Sequence, residues 1–154
     1  GTSKSQFGMT AYGTGTAIAA FGDAGLLTGV SNLVSNTGVV ASDTAAVGTA
    51  KAYLAAAPYG GDKAIFAFGS EANDALINKR NLITNQGVVG SDQSGAGTAR
   101  TLDAAGTYGG DKAIFGFSGT GVTNLVNNSG VVASDTSAVG SAKGGNAASG
   151  YGYS

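Results

Sequence analysis

Tyr59-Gly-Gly-Asp-Lys-Ala-Ile-Phe66 occurs twice in this chain, returning unchanged as Tyr108-Gly-Gly-Asp-Lys-Ala-Ile-Phe115. A looser copy, Tyr12-Gly-Thr-Gly-Thr-Ala-Ile-Ala19, precedes both. Each copy carries glycines ahead of a short apolar run. Glycine supplies the positive φ angles of a tight turn, and an apolar run bounded by glycine reads as a buried strand. A turn and strand recurring at a fixed interval define a repeat array, and the rest of the sequence falls into the same frame.

Segment a opens each unit: Gly1-Thr-Ser-Lys4, Gly48-Thr-Ala-Lys51, Gly97-Thr-Ala-Arg100 and Gly140-Ser-Ala-Lys143. The four starts lie 47, 49 and 43 residues apart, and each segment runs on to a Tyr-Gly, the last being Tyr151-Gly152. Segment b is the apolar run, ending Phe66-Ala-Phe68 and Phe115-Gly-Phe117, with both phenylalanines of a pair expected on one side of the strand. Segment c is Val30-Ser-Asn-Leu-Val-Ser-Asn36, Arg80-Asn-Leu-Ile-Thr-Asn85 and Val122-Thr-Asn-Leu-Val-Asn-Asn128. Segment d follows at Gly38-Val-Val, Gly87-Val-Val and Gly130-Val-Val, after Asn-containing turns. Four segments per unit predict an all-β chain of tandem four-stranded repeats in a single domain. The repeats span 1–47, 48–96 and 97–139, with an extra terminal segment 140–154. The Ala-rich stretch 48–57 invites a helix, but its counterparts are too rich in Gly to hold one.

Composition limits function. The 154 residues contain 28 Gly, no Cys and no His, and carry a net charge of −1. Without Cys there is no thiolate chemistry, and without His the commonest general base and metal ligand are missing. A near-neutral chain lacks the basic stripe of a nucleic-acid binder. No apolar run approaches the ~18 residues of a membrane-spanning helix. The start at Gly1 reads as a processed or trimmed end.

Charges fall mostly on the repeat frame: six of eight cations and five of nine acids. Asp43, Asp92 and Asp135 each precede a segment-a cation by eight residues, and are expected to cap that turn and pair with it. A ring of Asp holding Ca²⁺ is the functional alternative, though one Asp per repeat is sparse for such a site. Asp62 and Asp111 read as turn residues. In the Asn pairs the first is expected to satisfy backbone groups at a sheet edge and the second to open the turn; a polar ladder for glycans is the alternative. Glu71, Asn73, Asp74, Lys79 and Arg80 stand off the frame, in and just after the longest variable loop, 70–79. Loops of that kind carry specificity on a rigid scaffold, so these five are the candidate contact residues. Glu71 and Asp74 are a carboxylate pair of the type glycosidases use, with nothing in their spacing to favour that over a solvated loop.

The repeat grammar resembles kelch-type β-propeller blades. Thr98-Ala-Arg100 sits where that family has its Arg, Ile65-Phe-Ala-Phe-Gly69 and Ile114-Phe-Gly-Phe117 match its apolar strand, and Asn36-Thr-Gly-Val-Val40 occupies its hairpin. Trp is absent, no Gly-Gly doublet follows segment b, and Lys replaces Arg in three of four a segments. The wording is also similar to degenerate kelch-like repeats in tail-fibre and virion structural proteins of environmental tailed phages. The resemblance implies a non-enzymatic structural protein, extracellular or on a virion surface, that self-associates into homo-oligomers or fibres. It would need no cofactor, metal or catalytic residue and contact neither nucleic acid nor membrane. Propellers have about four to eight blades. Three units and a spare segment therefore imply a longer protein, several chains together, or an open stack. A host-attachment module for surface glycans is the second reading. An ice-binding surface is the third, weakened by Thr residues that do not fall in regular ranks.

Overall fold

The computed structural model describes residues 1–101, 104–142, 144–145 and 148–151. The chain is all-β. Among the described residues nine strands form three separate antiparallel sheets of three strands each, one per repeat, and they do not close into a barrel. Repeat 1 contains β1 (Gly8–Tyr12), β2 (Thr16–Ala20) and β3 (Ser31–Val34). Repeat 2 contains β4 (Ala55–Tyr59), β5 (Lys63–Ala67) and β6 (Arg80–Ile83). Repeat 3 contains β7 (Ala104–Tyr108), β8 (Lys112–Gly116) and β9 (Thr123–Val126). The register repeats as well: Tyr12 pairs with Thr16, Tyr59 with Lys63 and Tyr108 with Lys112 across the glycine turn. The Ala-rich stretch ends in a strand, β4, as the repeat frame requires.

The sheets stack face to face in chain order, β1 on β4 and β4 on β7. Two apolar layers hold the stack, one at each interface. Tyr12, Ile18 and Phe21 of repeat 1 pack with Leu54, Phe66 and Ile83 of repeat 2. Tyr59, Ile65 and Phe68 of repeat 2 pack with Phe115, Val126 and Val132 of repeat 3. The central strand β5 is therefore buried on both sides, which is why segment b reads as a continuous apolar run.

Three expectations change. The expected fourth strand, segment d, is reduced to single bridges, Val34 to Val40, Ile83 to Val89 and Val126 to Val132. The cause is the first Asn of segment c. The Ala41 amide donates to the Leu33 carbonyl as in a ladder, but the Ala41 carbonyl is taken by the Asn32 side-chain amide at 3.2 Å. Asn81 and Asn124 take the carbonyls of Gly90 and Ala133 in the same way. A side chain interrupts the edge ladder, and backbone pairing resumes beyond it, Ser31 with Thr44 and Arg80 with Gln93.

Phe66 and Phe68 do not share a face. Phe66 packs toward repeat 1 and Phe68 toward repeat 3. Phe21, Phe68 and Phe117 have φ of 62°, 65° and 67°, a left-handed conformation uncommon for a bulky side chain. This turns the ring over and ends strand pairing. The following amide is handed on to the next repeat, Gly22 donating to the Lys51 carbonyl and Gly69 to the Arg100 carbonyl.

Asp43 and Asp92 do not pair with Lys51 and Arg100, the cations eight residues on. Each reaches back across its own repeat. Lys51, only 1% exposed, donates to Asn81 Oδ1 at 2.8 Å and to Asp92 Oδ1 at 2.9 Å. Asn81 Nδ2 also donates to Asp92, at 2.9 Å. Lys4, Asn32 and Asp43 form the first copy of this group, with Lys4 donating to Asn32 at 2.8 Å and Asn32 to Asp43 at 2.7 Å. Arg100, Asn124 and Asp135 form the third. The backbone amides of Thr2, Thr49 and Thr98 cap the three carboxylates. Each later cation also rests on the left-handed phenylalanine of the repeat before it: Lys51 over Phe21 at 4.8 Å and Arg100 over Phe68 at 4.5 Å. Such contacts contribute about 1–2 kcal/mol when desolvated. Lys143, the fourth cation of the frame, and Gly152 lie outside the described residues.

Burial pushes the Lys51 ammonium below its ordinary pKa, against the raising effect of Asp92. Burial acts upward on the Asp92 carboxyl too, but Lys51, Thr49 and Asn81 outweigh it and hold the group well below its ordinary 3.8. Thr98 and Asn124 lower Asp135, and Thr2 and Asn32 lower Asp43. A carboxyl with a folded pKa below its unfolded value stabilises the fold above the unfolded value, and that stability is lost as pH falls through the window beneath it. Thermal melts are accordingly expected to keep a level midpoint from neutrality down to near pH 4 and to fall below it. Asp92→Asn lowers the midpoint at pH 7 and flattens the acid limb.

The turn glycines test the stacking. Gly38, Gly87 and Gly130 occupy equivalent turns with φ of 79°, 78° and 80°. A Cβ on Gly87 would lie 2.8 Å from the Tyr12 ring, and one on Gly130 3.0 Å from Tyr59, each in the preceding repeat. A Cβ on Gly38 meets nothing within 4 Å. Gly38→Ala is expected to cost about 1–2 kcal/mol for its backbone alone. Gly87→Ala adds about 1–3 kcal/mol for the collision. Urea denaturation of both variants measures the difference.

Candidate functional site

The loops between segments b and c differ most between repeats, and the structure brings two of them together. Loop 23–29 of repeat 1 and loop 70–79 of repeat 2 flank a groove of about 720 Å³. In each, the chain folds back through a small hairpin, with bridges from Asp23 to Leu27 and from Ser70 to Leu76. In repeat 3 the same connection shrinks to 119–121, so no matching wall follows.

Of the five residues singled out by sequence, Glu71, Asn73 and Asp74 line this groove. Asn73 and Asp74 have φ of 60° and 55°, in a 3₁₀ turn over Ala72–Asp74. Asn and Asp tolerate the left-handed region better than other non-glycine residues, so the sequence suits the turn. The Ala75 amide closes it on the Ala72 carbonyl and the Glu71 amide bonds the Ala75 carbonyl at 2.9 Å. Lys79 does not line the groove but fixes its rim, its ammonium donating to Glu71 Oε1 at 2.6 Å. The Glu71 carboxylate raises the Lys79 pKa. Arg80 is not part of the group. It begins β6, and its guanidinium turns to the Ser94 carbonyl.

The groove also has residues the sequence reading passed over. Gln6 and Tyr53 form its floor, with Gln6 Nε2 donating to the Tyr53 hydroxyl at 2.6 Å. Both have positive φ, 52° and 53°, and both stand two places after a segment-a cation. That shared offset was the one available signal. Asp23 and Leu26 make the wall opposite Glu71, and the Leu26 side chain stands out into solvent. An aromatic ring, amides and carboxylates thus surround an open groove. Among the described residues no three His, Cys, Asp or Glu side chains are grouped to hold a metal ion. Asp92 and Asp135 are each absorbed by an Asn and a cation of their own repeat, and Asp43 by Asn32 and Thr2.

No protein-family model matches this chain, and no curated protein sequence matches it either.

Glu71→Gln is expected to leave the fold intact. It removes an ion pair whose two side chains are partly exposed, worth below about 1 kcal/mol. Calorimetry on this variant and on Asp92→Asn separates the rim pair from the buried group.

Proposed function

We propose that this chain is a non-enzymatic structural and assembly protein, a rigid kelch-like repeat array of a virion appendage or extracellular fibre. The observation that carries the reading is the recurrence of one cation–amide–carboxylate group in all three repeats, built on a buried asparagine each time. Three of the eight cations and three of the nine acids are thereby spent on holding each repeat together and on joining it to its neighbour. What varies is confined to loops, as in a scaffold that presents contacts. Self-association is part of this reading, because stacked sheets in an open array leave a flat end to be covered. Electron microscopy of the purified chain is expected to show regular oligomers or fibres, and a field of uniform single particles of monomer size counts against the proposal.

The loop groove favours a second reading, a glycan-binding surface for host attachment. Tyr53 provides a ring face, and Asn73, Asp74 and Gln6 provide hydrogen-bonding groups beside it. A glycan array is expected to return a sugar whose binding is lost in Tyr53→Ala and Asp74→Ala while both variants melt like the parent. An array silent for every sugar removes this reading.

A further inference from the structure

The interior of this chain shows how it houses an ammonium. Lys51 Nζ meets an amide oxygen at 2.8 Å, a carboxylate oxygen at 2.9 Å and a ring centroid at 4.8 Å. The Arg100 guanidinium is held by the same set one repeat later, with Asn124, Asp135 and Phe68. Each group answers one need of a cation taken out of water. The carboxylate balances its charge, the amide oxygen accepts one of its protons, and the ring turns the negative face of its quadrupole toward it.

The groove between loops 23–29 and 70–79 offers the same three kinds of group with no cation of its own. Tyr53, 46% exposed, supplies a ring at its floor. The Gln6 amide nitrogen is spent on the Tyr53 hydroxyl, which leaves Gln6 Oε1 to accept. Asn73 brings a second amide on the wall of repeat 2. Carboxylates stand on both walls, Asp23 on one, Glu71 and Asp74 on the other. Lys79 balances Glu71 from the rim at 2.6 Å. Asp23 accepts from the Gly25 amide at 2.7 Å, a partner without charge. Among the described residues no Lys or Arg lines the groove, and none pairs with Asp23 or Asp74. Two negative charges on opposite walls are thus left without a counter-charge.

We propose that this groove binds an amino sugar, a glycan unit with its amine free and protonated, and turns acidic sugars away. The inference rests on the glycan-binding reading above and names the class of sugar. Asp23 and Asp74 supply the counter-charge, Tyr53 the stacking face, and Gln6 Oε1 and the Asn73 side chain the hydrogen bonds to hydroxyls. A sugar carrying a carboxylate brings a like charge between two others, a repulsive element that discriminates against it. An N-acetylated sugar keeps the ring and the hydroxyls but has no charge to offer Asp23 and Asp74.

Calorimetric titration of the full chain with three oligosaccharides of equal length tests the assignment: a glucosamine oligomer, its N-acetylated form and a uronate oligomer. The glucosamine oligomer is expected to bind about tenfold more tightly than the N-acetylated one. That margin is expected to shrink in high salt, and the uronate oligomer is expected not to bind. Asp23→Asn keeps an acceptor for the Gly25 amide, and Asp74→Asn suits the left-handed backbone at that position. The double variant is expected to melt like the parent and to bind both hexosamine oligomers equally, with the affinity for the N-acetylated one unchanged. Equal binding of the two by the parent, a margin that survives both substitutions, or binding of the uronate oligomer overturns the amine assignment and leaves the glycan reading standing. An oligolysine bound as tightly as the glucosamine oligomer overturns it too, since charge alone then suffices. A chain that binds none of the three oligomers, and no sugar on an array, overturns both.

Discussion

A charged ammonium with almost no access to water sits at the centre of this fold, and the surrounding structure answers its needs. Removing such a charge from water costs several kcal/mol unless partners replace the solvent. Lys51 receives an amide oxygen, a carboxylate and the face of a ring. The amide and carboxylate come from its own repeat and the ring from the one before. The same side chain therefore closes the repeat on itself and fastens it to its neighbour. Asn81 is equally committed, since its amide nitrogen serves both Asp92 and the carbonyl at which the fourth strand gives out. Without the asparagine neither the charge nor the sheet edge would be satisfied.

Much of this was legible in the sequence. The period, the turn at Tyr-Gly-Gly-Asp, the buried segment b and the edge role of Asn32, Asn81 and Asn124 all follow from residue type and recurrence. Contacts that depend on conformation were not. Nothing in Phe66-Ala-Phe68 announces that the second phenylalanine is left-handed, so alternation placed both rings on one face. The spacing of eight between Asp43 and Lys51 is a true recurrence with no contact behind it. Asp43 is instead linked through Asn32 to Lys4, which lies far earlier in the chain, and only the closed repeat brings the three together.

The candidate groove divides in the same way. Glu71, Asn73 and Asp74 are visible as polar residues that break the repeat frame. The opposite wall belongs to a different repeat, and the approach of Asp23 and Leu26 depends on how two loops of unequal length stack. Arg80 shares the polar character of that neighbourhood but belongs by register to β6, and strand position decides where its side chain goes.

The way Lys51 and Arg100 borrow their rings from the preceding unit gives the chain a direction. A newly synthesised repeat emerges behind one that already holds the aromatic platform it needs, so consolidation can proceed from the amino end as translation advances. It also means that gene segments one period long are interchangeable in any phase. Duplicating or deleting such a segment, wherever the cut falls, rejoins every platform to a cation and every tyrosine to a glycine turn. Unequal recombination could thus lengthen or shorten the array without any point mutation, and the natural variable of this architecture is the number of periods.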